Sequence, residues 1–286
     1  MNSSNQSAGS AHSTPDAKAA HKEPKLPHIQ PAEVQKPPLW GRLYAVWYRH
    51  VRVYARNIIS NGLPPFLEPL VFLVGIGMGL GAYLTKMEGV PFLEYLATGL
   101  LMTTAMFTSA FECSFGTFIR LEFDKVYDGM LASSISVSDL MIGEMLFAAT
   151  KSLFFSAAVL VVISIFGLVP SAMAVFAPLG GFLTGLMFAA LSLFITSFVK
   201  TINHFNFYFT GLLTPLFFFS GIVFPLENLP GVLPRVAFAF PLAHSVRIVR
   251  AFAFNEFEPS LLLNLLYMLV FSAVFGAAAI RRLERR

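Results

Sequence analysis

An all-α polytopic membrane protein with six transmembrane helices is the fold this sequence predicts, on three observations. Six apolar stretches, at 64–84, 93–118, 140–169, 172–199, 205–225 and 260–280, take up most of the chain after Pro64. Each is near the roughly 20 residues that a helix needs to cross the hydrocarbon core of a bilayer. Composition agrees: 56% of residues are hydrophobic, 13% are charged and 31 are Phe, and segments apolar all round do not fit a soluble core. The third observation is where the basic residues fall.

Arg42, Arg49, Arg52 and Arg56 precede the first stretch, and Arg281, Arg282, Arg285 and Arg286 follow the last. Six crossings put both ends on one side, and an excess of Lys and Arg marks that side as cytoplasmic. The loops on the same side add Arg120, Lys125 and Lys200, giving 11 basic residues there against Lys86, Arg235, Arg247 and Arg250 opposite. The net charge of +4 and pI near 9.2 are thus accounted for at membrane boundaries, and no nucleic-acid partner is expected. The single cysteine, Cys113, excludes an intramolecular disulfide and a multi-cysteine metal site, and reads as a small buried apolar residue.

Residues 1–38 are rich in Ser, Ala, Pro, Lys and His and carry almost no large apolar side chains, so a disordered cytoplasmic tail is expected. It has no apolar core of the signal-peptide kind. Next comes LWGRLYAVWYRHVRVYARNIISNG, with Leu39, Leu43, Val46, Trp47, Val51 and Tyr54 close to helical spacing and arginines mostly between them. Such a pattern predicts an amphipathic helix lying along the inner membrane surface. In the first stretch, Gly75, Gly77, Gly79 and Gly81 do not have the spacing or the preceding strand of a dinucleotide fingerprint. Gly75/Gly79 and Gly77/Gly81 are instead small-xxx-small pairs, which let a neighbouring helix approach closely.

The segment 119–139 is the one cytoplasmic link between spans with rich chemistry. Arg120, Glu122, Asp124, Lys125 and Asp128 on a short helix would make a surface able to dock a soluble partner. The third stretch is long, and its first two turns, with Glu144, are expected at the inner interface. After FFFSGIVFP come Pro225, Pro230, Pro234 and Pro241 in an apolar context. Proline breaks helices, and broken backbone survives at membrane depth only where protein or a water-lined cavity covers it. A re-entrant helical hairpin at 226–241 is therefore expected between spans five and six. His244, Arg247 and Arg250 follow it at one-turn intervals, facing headgroups or a passing substrate.

Ionisable residues within the stretches are Glu68, Glu94, Glu112, Glu144 and Lys151. A charge at a span centre costs about 2.5–3.5 kcal/mol on insertion scales, so these groups face the bundle interior or its ends. Glu144 and Lys151 lie two turns apart on one face, and Glu112 could meet them from the neighbouring helix. They read either as a structural ion pair or as a polar patch that transmits motion from the loop. No P-loop, G-x-S-x-G or H-E-x-x-H sequence occurs, so neither ATP binding in the P-loop manner nor these hydrolytic chemistries are expected.

These parts in this order resemble the membrane subunit of an ABC-2 type exporter, in the branch that includes the nodulation-factor (lipo-chitooligosaccharide) export permease, NodJ-like. The resemblance covers about 40–286 and rests on EPLVFLVGIGMGLG, DGMLASSISVSDLMIGEMLFAATK, FFFSGIVFPLENLP and PLAHSVRIVR. It implies a homodimer in the bacterial inner membrane, each subunit resting on a separate cytoplasmic ATPase. It also implies that this chain binds no cofactor, ATP and Mg being held by the ATPase. Residues 119–131 would be the coupling helix, with contacts at Arg120, Phe123, Asp124, Tyr127 and Asp128. Exit elements would fall on Pro225, Leu226, Leu229, Pro230 and His244. The Phe-rich spans suit an amphiphilic substrate, such as a lipid-linked glycan, a lipo-oligosaccharide or a hydrophobic drug. An intramembrane enzyme would need a nucleophile at matched depth, for which only Ser220 and His244 offer themselves. A secondary transporter would predict inverted repeats, which the two halves do not display.

Overall fold

The computed structural model describes residues 37–56, 71–81, 83–84, 86–226, 230–231 and 233–285. Most of the expected tail, the start of the first stretch with Glu68, and Leu229 lie outside the described residues. Pro37–Arg286 is one compact unit, and its described residues are all-α apart from a hairpin of two-residue strands, β1 (Lys86–Met87) with β2 (Val90–Pro91).

The helices in order are α1 (Leu39–Ala55), α2 (71–81), α3 (Phe92–Phe111), α4 (Val126–Leu131), α5 (Val137–Ile165), α6 (Ala177–Thr196), α7 (205–218), α8 (Leu233–Phe238), α9 (Pro241–Phe254) and α10 (Ser260–Leu283). Their ends follow local chemistry. Pro91, Pro178 and Pro241 stand at or just inside the starts of α3, α6 and α9, where a missing amide proton costs nothing. A reciprocal Ser136–Asp139 capping box starts α5. Gly167, at φ +70°, stops it, with Gly167 N donating to Ser164 O at 3.0 Å and Leu168 N to Ile163 O at 2.9 Å. That pair of bonds caps carbonyls a helix end would otherwise leave bare, and needs a residue that tolerates positive φ.

Among the described residues, three helices are long and apolar enough to cross a membrane: α5, α10, and α6 with the 3₁₀ turn Ala172–Phe176 ahead of it. The other expected spans depart from their sequence boundaries. Only the second half of the first stretch is described, and it contains a π-helical turn at Leu73–Met78. The second stretch does not stop at 118: α3 continues through wide π turns at Glu112–Gly116 and Ile119–Phe123. The fifth is helical only to Phe218; at about 1.5 Å per residue, its 14 residues reach about 21 Å. Past it the chain turns through Gly221, at φ +80°. Of the expected hairpin, the described residues hold the short α8.

The core is a seam of α3, α5 and α6, and small residues close it. Ser152 and Ser156 of α5 donate to Ala105 O (2.9 Å) and Leu101 O (3.1 Å) of α3. On their other side they press against Gly181 and Gly185 of α6, where an added Cβ would lie 2.2 Å and 2.6 Å from the two serine hydroxyls. This is the small-residue packing that membrane helices use when water cannot drive association. The glycines singled out in the first stretch behave unevenly. Gly77 packs on Leu93 and Gly81 nears Phe92, whereas Gly75 and Gly79 have nothing within 4 Å of a built Cβ. Among the described residues, that pair brings no second helix close.

α1 packs along the first half of α5 through one face. Leu43, Val46 and His50 are its buried residues, and Gly143 opposite has no side chain because Val46 occupies the space, 2.6 Å from a built Cβ. Arg42 pairs with Asp139 at 2.5 Å, and Trp47 Nε1 donates to Thr150 Oγ1 at 3.1 Å. His50 stacks on Phe147 with centroids 5.2 Å apart. Burial pushes its imidazole down from 6.5 to about 4, with the Glu144 carboxylate pulling the other way less strongly. Below pH 6.5 a freed helix gains a proton that the docked helix refuses, so docking weakens as pH falls from about 6.5 to 4 and is insensitive above. Of the two tryptophans, Trp40 is 78% exposed, so Trp47 is the reporter. Its emission is expected to shift between pH 7 and 5 in the wild type and not in His50→Phe. The same pH profile in both proteins would rule His50 out as the cause.

Candidate functional site: a buried charge network above the loop

At the end of the molecule that carries α4, charged groups from three elements meet inside the bundle. Glu112 opens the first π turn after α3. Its carboxylate accepts from Lys151 of α5 at 2.8 Å and from Arg120 at 2.8 Å. Arg120 reaches back along its own helix, with its second amino group also near the Glu112 carbonyl, at 3.3 Å. Gly116 makes that possible: a Cβ there would lie 3.3 Å from both the Arg120 guanidinium and the Glu112 carboxylate.

The guanidinium continues to Glu144 of α5, which is fully buried, and Tyr127 of α4 donates its hydroxyl to the other Glu144 oxygen. Arg120 Nε also donates to Tyr127 Oη at 3.3 Å. Lys151 stands 4.8 Å over the Tyr54 ring of α1. Two carboxylates and two cations thus balance, and each carboxylate has at least two donors. Buried charges persist only when so paired.

The network settles where several expected site residues lie. Glu144 is buried inside the bundle, where Arg120 and Tyr127 supply its counter-charge and donor. It meets Glu112 and Lys151 through Arg120 and not directly. Arg120 and Tyr127, expected on the docking surface, turn inward, and Tyr127 is 1% exposed. Nor is 119–131 one helix. The chain breaks at Asp124 and Lys125, the latter in a left-handed conformation with φ +51°. The break turns α4 so that Tyr127 points into the bundle while Asp128 points out.

Phe123, 65% exposed, with Asp124 and Asp128, remains on the surface. Beside them a groove of about 300 Å³ runs between 121–131, the start of α5 and Leu283. Its wall is apolar at Leu121, Leu131, Val137 and Met141, with Glu122, Lys125 and Asp128 at its rim. The sequence pattern missed Gly116 and the inward turn of Arg120. A signal was present: a lone glycine midway between an acid and a base eight residues apart.

At the opposite end, the two motifs FFFSGIVFPLENLP and PLAHSVRIVR come together on Tyr95 of α3. Tyr95 Oη donates to Gly221 O at 2.9 Å, Arg250 donates to the same carbonyl at 2.7 Å, and its guanidinium lies 3.6 Å from the Tyr95 ring centroid. Pro225 and Leu226 are buried against this turn, Pro230 is exposed, and a cavity of about 410 Å³ opens beside them. His244, Arg247 and Arg250 do not simply face headgroups. His244 Nδ1 is 2.7 Å from Asn264 Oδ1 and its ring stacks on Tyr267 at 3.9 Å, while Arg247 lies over Phe238. All three side chains are half-buried, and Arg247 and Arg250 also line the cavity. No hydrogen bond joins His244 to Ser220 among the described residues.

Comparison with known proteins accords with this architecture. The ABC-2 type transporter family profile matches residues 41–254. The chain is 31% identical over 242 residues to Nodulation protein J of Sinorhizobium fredii, covering 85% of this chain and 92% of that one. It is 34% identical over 206 residues to Nodulation protein J of Rhizobium leguminosarum bv. trifolii, covering 72% and 79%. The inner membrane transport permease YadH of Escherichia coli is more distant, at 21% over 207 residues, covering 72% and 80%. The match spans α1 through α9, charge network and Tyr95 cluster included, and the chain belongs to the ABC-2 type transporter family.

Proposed function

We propose that the chain is the permease subunit of an ATP-driven exporter. It works as a homodimer in the inner membrane with both termini cytoplasmic, and moves an amphiphilic substrate outward. A separate cytoplasmic ATPase holds ATP and Mg; this chain supplies no chemical step. Six crossings and a re-entrant element around α8 belong to this reading. The observation that carries it is the charge network, because it ties the exposed 123–128 turn rigidly to α3 and α5. A push on that turn is then delivered to two core helices without being lost in a soft loop. A permease needs contacts that differ between two conformations, and a balanced buried network with one face at the surface is suited to supply them.

In this reading Phe123, Asp124 and Asp128 meet the ATPase, and Arg120 and Tyr127 transmit from below. The Tyr95–Gly221–Arg250 cluster, with Pro225, Leu226, Pro230 and His244, shapes the exit. An enzyme reading has little support, since His244 is committed to Asn264. Reversing both charges, Asp124→Lys with Asp128→Lys, is expected to leave the protein in the membrane at normal abundance while abolishing transport-linked ATP hydrolysis. A photo-crosslinker at position 123 should capture a nucleotide-hydrolysing subunit in intact cells. Unimpaired transport in the reversed variant, with no such capture, would dismiss the docking assignment.

A further inference from the structure

The last turn of α10 carries Arg281 and Arg282, with Arg285 two residues past its end, and the link between α6 and α7 carries Lys200. With Ser197, Phe198 and Ala278 they line a pocket of about 660 Å³. Among the described residues no carboxylate lines it. The acid on the same turn, Glu284, accepts from Ser138 of α5 at 2.7 Å and is held away. None of the ion pairs formed by the described residues involves any of the four cations. Arginines at a helix C-terminus are ordinary, because they complement its dipole. That does not account for Lys200, which comes from another element to the same pocket and adds like-charge repulsion.

Two features say what would relieve it. Arg282 is fixed 3.5 Å from the centroid of the Phe198 ring, so one wall is preorganised and partly apolar. Leu266, Val270, Val274 and Ala278 form an i, i+4 row leading along α10 to the pocket, and the first three are more than half exposed. A ligand with an anionic head and an apolar tail fits both the charge and the row. We propose that this pocket binds the phosphate headgroup of an anionic phospholipid, with an acyl chain laid along that row. Basic pockets at the ends of membrane helices recognise such headgroups through phosphate charge. The site depends on membrane insertion and not on what the protein exports.

The test uses the full chain purified in mild detergent and native mass spectrometry, with phosphatidylglycerol, phosphatidylethanolamine or inorganic phosphate added separately. One phosphatidylglycerol retained per protomer, little phosphatidylethanolamine, and no displacement by phosphate is the expected pattern. Lys200→Gln with Arg282→Gln is expected to weaken phosphatidylglycerol binding about 30-fold, at roughly fivefold per cation. Equal retention of the two lipids by the wild type overturns the proposal, and so does unchanged affinity in the double variant. Displacement by phosphate would mean a free anion site in place of a lipid site. Should the double variant not fold, the wild-type lipid comparison decides alone.

Discussion

Replacing Arg120 with Met is expected to be the most damaging single change in the described part of the chain. Arg120 is the one group that touches both Glu112 and Glu144. Glu112 would keep Lys151, but Glu144, fully buried, would keep only the Tyr127 hydroxyl. Breaking a buried pair by removing one partner costs about 3–5 kcal/mol, because the other charge is stranded in low dielectric. Unfolding temperature in detergent and abundance in the membrane should both fall sharply. Adding Glu144→Gln should restore part of the loss, since a neutral amide no longer needs the guanidinium. Strict additivity of the two substitutions would show that the residues do not act as one network. An exposed neighbour such as Asp124→Ala, by contrast, should stay within about 0.5 kcal/mol.

Gly185→Leu is expected to have the second-largest effect. A Cβ at Gly185 would sit 2.5 Å from Ser152 Cβ and 3.1 Å from Ala149 Cα. The second of these is backbone, so relief requires α5 and α6 to part. Overpacking of this kind costs about 1–3 kcal/mol. Pushing Ser152 aside also threatens its 2.9 Å hydrogen bond to Ala105 O, and such interhelical bonds are worth about 0.6 kcal/mol on average. Gly79→Leu provides the contrast, because nothing lies within 4 Å of its built Cβ. Thermal unfolding of the two variants side by side checks the ordering. If Gly79→Leu unfolds as early as Gly185→Leu, the exposed face of α2 packs on something outside the described residues.

Much of the design is legible in residue order because lipid imposes it. Apolar length sets where helices can cross, and the spacing of Leu43, Val46 and Trp47 announces a surface helix. The absence of any P-loop sequence removes ATP binding in that manner from this chain. Capping chemistry at Ser136–Asp139 and Gly167 sets the ends of α5 at Val137 and Ile165, inside a stretch read from apolar length alone as 140–169. Local rules fail where the helix widens. Nothing in 112–123 says that α3 continues through two π turns past the expected loop boundary at 119. Apolar length carries the fifth stretch to 225, but the turn at Phe219–Gly221 ends the helix earlier.

Side-chain direction is the other limit. A list of charges at 120–128 reads as a polar surface, since each residue taken alone prefers water. Which of them turn inward depends on whether a partner of opposite charge waits inside, and Glu144 stands 24 positions from Arg120. The same holds for the glycines: Gly75–Gly79 and Gly181–Gly185 are equivalent as strings, and only the second faces Ser152 and Ser156. The amino-acid order therefore determined the class of molecule, its all-α character and its amphipathic first helix, because burial and backbone hydrogen bonding in lipid allow few alternatives. The tertiary structure decided which charges cancel, which glycines touch and which residues stay outside, because those depend on partners that distant segments bring.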